Sequence, residues 1–356
     1  MKNVLNMFFG KKTRARTISY LVVILAYIIL TVLESSGSLK RMIIALLVPI
    51  SCYVVAAIGL NMNVGISGEL NLGQAGFMSI GGFSAAVAAA MLSDTITNGA
   101  LLLVICIIVG AAVAGLAGWL ISVPVLKLQG DYLAIVTLAF GQIIMSIINN
   151  LYVGVDAAGL HFDFVKNGIQ LGEGGKMIIS GPMGVTGNET LSTFTAGIIL
   201  ILVSLFVVYN IMYSKDGRAI MACRDNRIAA ETVGIRVSRT KTLAFVISSA
   251  LGGAAGALYM MNYSSVAATK FDFNTSILIL VYVVLGGLGN MTGTIVATTV
   301  LVALPELLRS MASYRMLIYA IVLILVMIVT NNETFRVFFA TLKRKLSGKK
   351  GVEADE

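Results

Sequence analysis

Apolar runs of bilayer-spanning length alternate along this chain with short polar or charged segments. A helix needs about 20 mostly apolar residues to cross the hydrocarbon core. On that measure the pattern predicts helices near residues 17–34, 42–61, 70–92, 99–122, 132–151, 193–213, 242–262, 275–287, 289–308 and 314–331. The predicted fold class is all-α: a polytopic transmembrane helix bundle of about ten helices, forming one domain over 1–356 in a lipid bilayer.

Two stretches break the pattern, near 62–75 and 285–294. The first runs GISGELNLGQAGFMSIGGFSAAV from Gly65 to Val87, and the second is LGGLGNMTGT from Leu285 to Thr294. Interrupted helices at membrane depth are tolerated only beside protein or water, so they point to a transport path. Polar side chains at the breaks are the candidate pathway residues: Asn61, Asn63, Glu69, Asn71, Gln74 and Asn290. Ser67, Asn71 and Gln74 are expected to satisfy Glu69, or Glu69 sits at a helix start near Leu70, where a carboxylate meets the positive dipole end. A second polar group follows in GDYLAIVTLAFGQIIMSIINN, where Asp131 is expected to cap a helix carrying Thr137, Gln142 and Asn149. Thr137 and Gln142 join the pathway candidates.

Charge sets the expected topology. Residues 1–16 carry Lys2, Lys11, Lys12, Arg14 and Arg16 without an acid, and are read as a cytoplasmic N-terminus ahead of an uncleaved first helix. The loop 214–241 has seven Lys/Arg against three acids and is expected inside. The loop 152–192 has two lysines against four acids and is expected outside. The basic tail, 332–356, returns to the cytoplasm; Lys40 and Arg41 fall on the outer side of this scheme.

Composition removes several function classes. The chain is 58% hydrophobic and 12% charged with mean hydropathy +0.92, far from a soluble domain. The net charge of +9 collects beside apolar runs, which fits membrane topology and not nucleic acid. Its 36 glycines, as at Gly81–Ala85 and Gly252–Gly256, suit close helix packing. Cys52, Cys106 and Cys223 build neither a disulfide framework nor a metal quartet and read as packing residues. His161 reads as a surface residue, no GxSxG elbow occurs, and Ser347-Gly348-Lys349-Lys350-Gly351 lacks what a Walker A loop requires.

The charged segment from Ser214 to Phe245 reads SKDGRAIMACRDNRIAAETVGIRVSRTKTLAF. Arg218 to Thr232 is expected to be one amphipathic helix, with Gly234 as its C-cap. It is too short and too charged to span, and suits docking into a soluble partner's groove.

These strips, together with VVLGGLGNMTGTIVATTVLVALPELLR, resemble the membrane subunits of ABC importers for branched-chain amino acids, in particular the LivM-type subunit, over roughly residues 55–310. Permeases for urea and short amides look similar. The resemblance implies a sister permease, two cytoplasmic ATP-binding subunits that carry ATP and Mg, and an extracytoplasmic substrate-binding protein. It implies no cofactor on this chain and a place in the bacterial cytoplasmic membrane. It assigns the coupling helix to Arg218–Gly234, with Arg218, Arg224, Asp225, Arg227, Ala229, Ala230, Glu231 and Gly234 facing the ATPase. One departure stands out: Ser180-Gly181-Pro182-Met183-Gly184 lies about thirty residues after Asn149-Asn150, so the loop between them is lengthened.

Overall fold

In the computed structural model the apolar runs are helices, and the polar interruptions are where they stop or change pitch. Residues 11–37, 41–93, 95–128, 130–156, 159–164, 175–188 and 190–308 are described, with the single positions 317, 320, 321 and 324. Residues 1–10, Lys40, nearly all of the expected tenth helix and the tail 332–356 lie outside the described residues.

The membrane-length helices are α1 (Lys11–Ser35), α2 (Arg41–Asn61), α3 (Gln74–Leu92), α4 (Gly99–Val125), α5 (Asp131–Asn149), α6 (Phe194–Tyr213) and α9 (Val237–Met260). Between α6 and α9 lie the short helices α7 (Lys215–Asp225) and α8 (Arg227–Thr232). Two shorter apolar helices follow, α10 (Phe273–Gly286) and α11 (Met291–Leu307). The chain forms two compact units, Met1–Val300 and Leu301–Glu356, and the features below belong to the first.

Helix α9 is the hub, packed on α2, α3 and α4. Its most apolar stretch is 78% buried within the protein, against 11% for that of α1, whose surface is largely exposed. Small residues permit that density. A Cβ on Gly81 would run into the backbone of Gly253, and one on Gly256 into the backbone of Met78, so α3 and α9 touch main chain to main chain. Toward the basic-loop end, Phe77 meets Phe140 at 5.2 Å and Phe245 at 5.7 Å between ring centroids, tying α3 to α5 and α9.

Two expectations change. Asp131 is the first residue of α5 and Gly130 takes the N-cap position, so the carboxylate favours the helix as a first-turn acid and not as its cap. Helix α9 begins five residues before the expected position, which makes Arg239 and Lys241 part of its first turns. The bundle is helical as expected, and the segment after α5 forms, with β5 from the connection after α9, a small antiparallel sheet ordered β2-β1-β3-β4-β5. Its strands are β1 (Tyr152–Asp156), β2 (Gly159–Asp163), β3 (Lys176–Ser180), β4 (Val185–Thr186) and β5 (Ser265–Val266). Val153 pairs with Phe162 and Ile179, and Gly181–Met183 is the 3-10 turn between β3 and β4. His161 lies in β2, half-buried, with Nε2 at 3.0 Å from Asp156 Oδ1.

Candidate translocation and coupling site

The first break begins where α2 passes, without leaving the helical path, into a π-helical turn, Met62–Ser67. Gly68, at φ 75°, ends it in the left-handed region, and the chain runs irregularly to Gln74. Wide turns of this kind inside α-helices gather at functional sites. The second break is the turn between α10 and α11, where Gly287 and Gly289 have φ 92° and 77°.

The two breaks touch each other. Asn61, fully buried, accepts a hydrogen bond from the Gly289 backbone N–H at 2.8 Å and donates to Thr294 Oγ1 at 2.8 Å. A side chain on Gly65 would collide with Gly289. Interruptions separated by more than 200 residues thus share one packed, polar seam.

Other candidates have definite structural tasks. Gln74 donates to the carbonyls of Ala56 (3.3 Å) and Ser248 (3.4 Å), bridging α2, α3 and α9. Asn71 Oδ1 accepts from Gly73 N–H at 2.8 Å, and Thr137 Oγ1 accepts from Leu72 N–H at 3.0 Å, so both hold the irregular strip before α3. Asn290 is exposed and accepts from Gly293 N–H at 3.3 Å, as an N-cap does for α11. Gln142 is half-buried on α5. Unsatisfied polarity gathers in the first break: both amide atoms of Asn63, Ser67 Oγ and Asn71 Nδ2 are buried with no partner among the described residues. Buried polar atoms are seldom left unpaired, so these side chains suit hydrogen bonding to water or a polar ligand.

Glu69 corrects the expectation most sharply. Ser67 and Gln74 do not satisfy it, and no helix starts beside it, since α3 begins at Gln74 with Gly73 as N-cap. Its carboxylate pairs instead with Lys241 on α9, and both side chains are under 15% exposed. An acid at a span needs a partner. Lys241 lies 172 residues away along the chain, beyond any local sequence pattern.

The basic segment is two helices, not one. Ser214 caps α7, its Oγ accepting from Gly217 N–H at 3.1 Å. Asn226, extended at φ −153°, interrupts the run and caps α8 by accepting from Ala229 N–H at 3.0 Å. Asn is a preferred N-cap because its side chain satisfies a free N–H, and here it begins a second helix where one was expected. Gly234, at φ 83°, takes the expected C-terminal place: Gly234 N–H bonds Glu231 O and Ile235 N–H bonds Ala230 O, each at 3.0 Å.

The apolar residues of this segment divide by direction. Ile220, Cys223 and Ala230 are buried; Cys223 and Ala230 pack with Val237 on the start of α9, and burial pushes the Cys223 thiol pKa up. Ile228 and Val233 are each 75% exposed. Arg227 and Glu231 pair at 3.1 Å across one turn, Arg218 Nη1 donates to Tyr213 O at 3.3 Å, and Ala229 is exposed. Arg224 reaches the other way: it binds Asp225, its stem covers Gly68, and Nη1 donates to Gly65 O at 3.0 Å. Arg224 on α7 and Lys241 on α9 therefore clasp the first break from two helices.

The sequence pattern of the family described as "Branched-chain amino acid transport system / permease component" matches residues 42–330. This chain belongs to that family. It is a permease component by family and a multi-pass membrane protein by its helices. It is similar to the "High-affinity branched-chain amino acid transport system permease protein LivM" of Salmonella typhimurium, 33% identical over 85% of this chain and 72% of the relative. It also resembles the LivH permease protein of the same description from Escherichia coli, 26% identical over 78% of this chain and 89% of the relative. The "Fructose import permease protein FruG" of Bifidobacterium longum is 23% identical over 82% of this chain and 83% of the relative. No solved structure gives a significant match.

Proposed function

We propose that the chain is one permease subunit of an ATP-driven ABC importer and, with a sister permease, forms the path for branched-chain amino acids across a bacterial cytoplasmic membrane. Relatives named as both LivM and LivH permeases support a two-permease assembly. The basic loop faces the cytoplasm with both termini, and the sheet β1–β5 faces outside, where a substrate-binding protein delivers the solute. ATP and Mg belong to two partner ATPase subunits, which dock on α7 and α8 through the exposed Ile228 and Val233.

The observation that carries this reading is the contact of docking helix α7 with the π-helical break through Arg224–Gly65, beside the Lys241–Glu69 pair that holds the same strip to α9. Closure of the ATPases moves α7 and α8, and Arg224 passes that movement to the break, where Asn63, Ser67 Oγ and Asn71 Nδ2 line the path. Asn61, Gln74 and Thr137 hold the break in shape. An ion-coupled carrier would need titratable groups in the membrane, and Glu69 is already neutralised by Lys241.

The test is labelled-leucine uptake into proteoliposomes holding the full assembly. Uptake should require ATP and fall with excess isoleucine or valine but not fructose. Inhibition by fructose alone, or uptake by this chain without ATPases, defeats the proposal.

A further inference from the structure

A groove of about 590 Å³ lies where α4, α8 and the first turn of α9 converge, outside the break and its clasp. Trp119 and Val123 form its α4 wall, with Arg227, Arg236, Ser238 and Arg239 opposite. Of its three arginines, Arg227 is engaged by Glu231, and Arg236 and Arg239 have no carboxylate partner among the described residues. The surplus charge is two positive, at the end of the bundle. Helix α9 opens into the groove without a side-chain cap and without an acid in its first turn, so its free N–H groups add to the positive potential.

We infer that this groove binds the headgroup phosphate of an anionic phospholipid. The guanidinium groups of Arg236 and Arg239 meet the phosphate, with the Ser238 hydroxyl and first-turn N–H groups as further donors. The α4 wall selects lipid over a free anion. Trp119 and Val123 are 54% and 52% exposed and continue Leu116 and Leu120, at 65% and 69%, along the outer surface of a spanning helix. That strip lies against acyl chains, and a tryptophan beside a charged groove at a span's end is placed as at a membrane interface. A soluble phosphate leaves this wall unused, whereas a phospholipid covers the strip with its chain and the arginines with its headgroup. Basic side chains near the surface each add about fivefold to attraction for anionic lipid. The site needs only that the chain spans a bilayer, and stands whatever solute is carried.

The probe is lipid retention. The chain is reconstituted in bilayers of equal parts phosphatidylglycerol and phosphatidylcholine, extracted gently, and its bound lipid counted by native mass spectrometry. The wild type should retain phosphatidylglycerol in preference, and Arg236→Gln with Arg239→Gln should lower that preference about tenfold or more. Ser238→Asp supplies the missing first-turn acid, so it should strengthen α9 while repelling the phosphate; its loss of lipid separates binding from folding. Lys215→Gln, on α7 outside the groove, should retain lipid normally. Equal retention of the two lipids by the wild type overturns the inference, as does unchanged preference in both groove variants. Displacement of the lipid by millimolar inorganic phosphate also overturns it, since the occupant is then a free anion.

Discussion

Glu69 and Lys241, 172 positions apart, form an ion pair in which neither side chain is more than 14% exposed. Each charge is kept out of water only because the other is there. Glu69 follows the π-helical turn and Lys241 lies on the helix at the centre of the bundle, so the pair holds an irregular strip against the most buried element.

Removing one partner strands the other charge. Glu69→Gln or Lys241→Met alone should cost about 2–4 kcal/mol, near the lower end for broken buried pairs, since some water still reaches both groups. The double substitution should cost less than the sum, with a coupling of about 1–3 kcal/mol. Thermal unfolding of the four proteins in one detergent checks this; additive losses would mean the pair contributes no mutual stabilisation.

Asn61 should be hard to replace. Asn61→Leu keeps the branched shape but orphans the Gly289 N–H and the Thr294 contact, an expected loss of about 1–3 kcal/mol. Asn290→Ala removes only an exposed cap at the same turn and should cost about 1 kcal/mol. Unfolding midpoints that rank the two in the opposite order would contradict the seam between the breaks.

The docking surface should separate from the fold. Ile228→Asp with Val233→Asp changes two side chains that are each 75% exposed, so the bundle should unfold at an unchanged temperature while copurification of ATPase subunits is lost. Asn226→Ala should have a milder effect, fraying α8 at about 1 kcal/mol and weakening that capture. Full capture by the double variant would place the ATPase elsewhere.

Much of this was legible in the residues because spans and breaks are local. A run such as LLLVICIIVGAAVAGLAGWLI can only be a helix in lipid, and the Gly-rich polar strings mark where the regular α-helix is interrupted. The clasp was hidden because it is long-range: nothing near Glu69 names Lys241, and nothing near Asn61 names Gly289. The division at Asn226 was readable in principle, since an Asn in a charged run is a natural cap, but the helix formers on either side concealed it. The small sheet was obscured because Tyr152–Asp156 and Lys176–Ser180 are each five residues long and pair across a loop. Several polar residues near the breaks proved to hold main chain in place, a task with the same sequence signature as lining a path.

Arg224 is the side chain through which the basic-loop helices drive the break, by its bond to Gly65 O. ATP hydrolysis and leucine uptake would be measured together in proteoliposomes carrying the full assembly with Arg224→Ala. The bond from Arg224 to Gly65 O is charge-assisted, and its loss should lower uptake about tenfold or more. Hydrolysis should persist while uptake falls; hydrolysis and uptake both at wild-type rates would show that Arg224 does not transmit the movement.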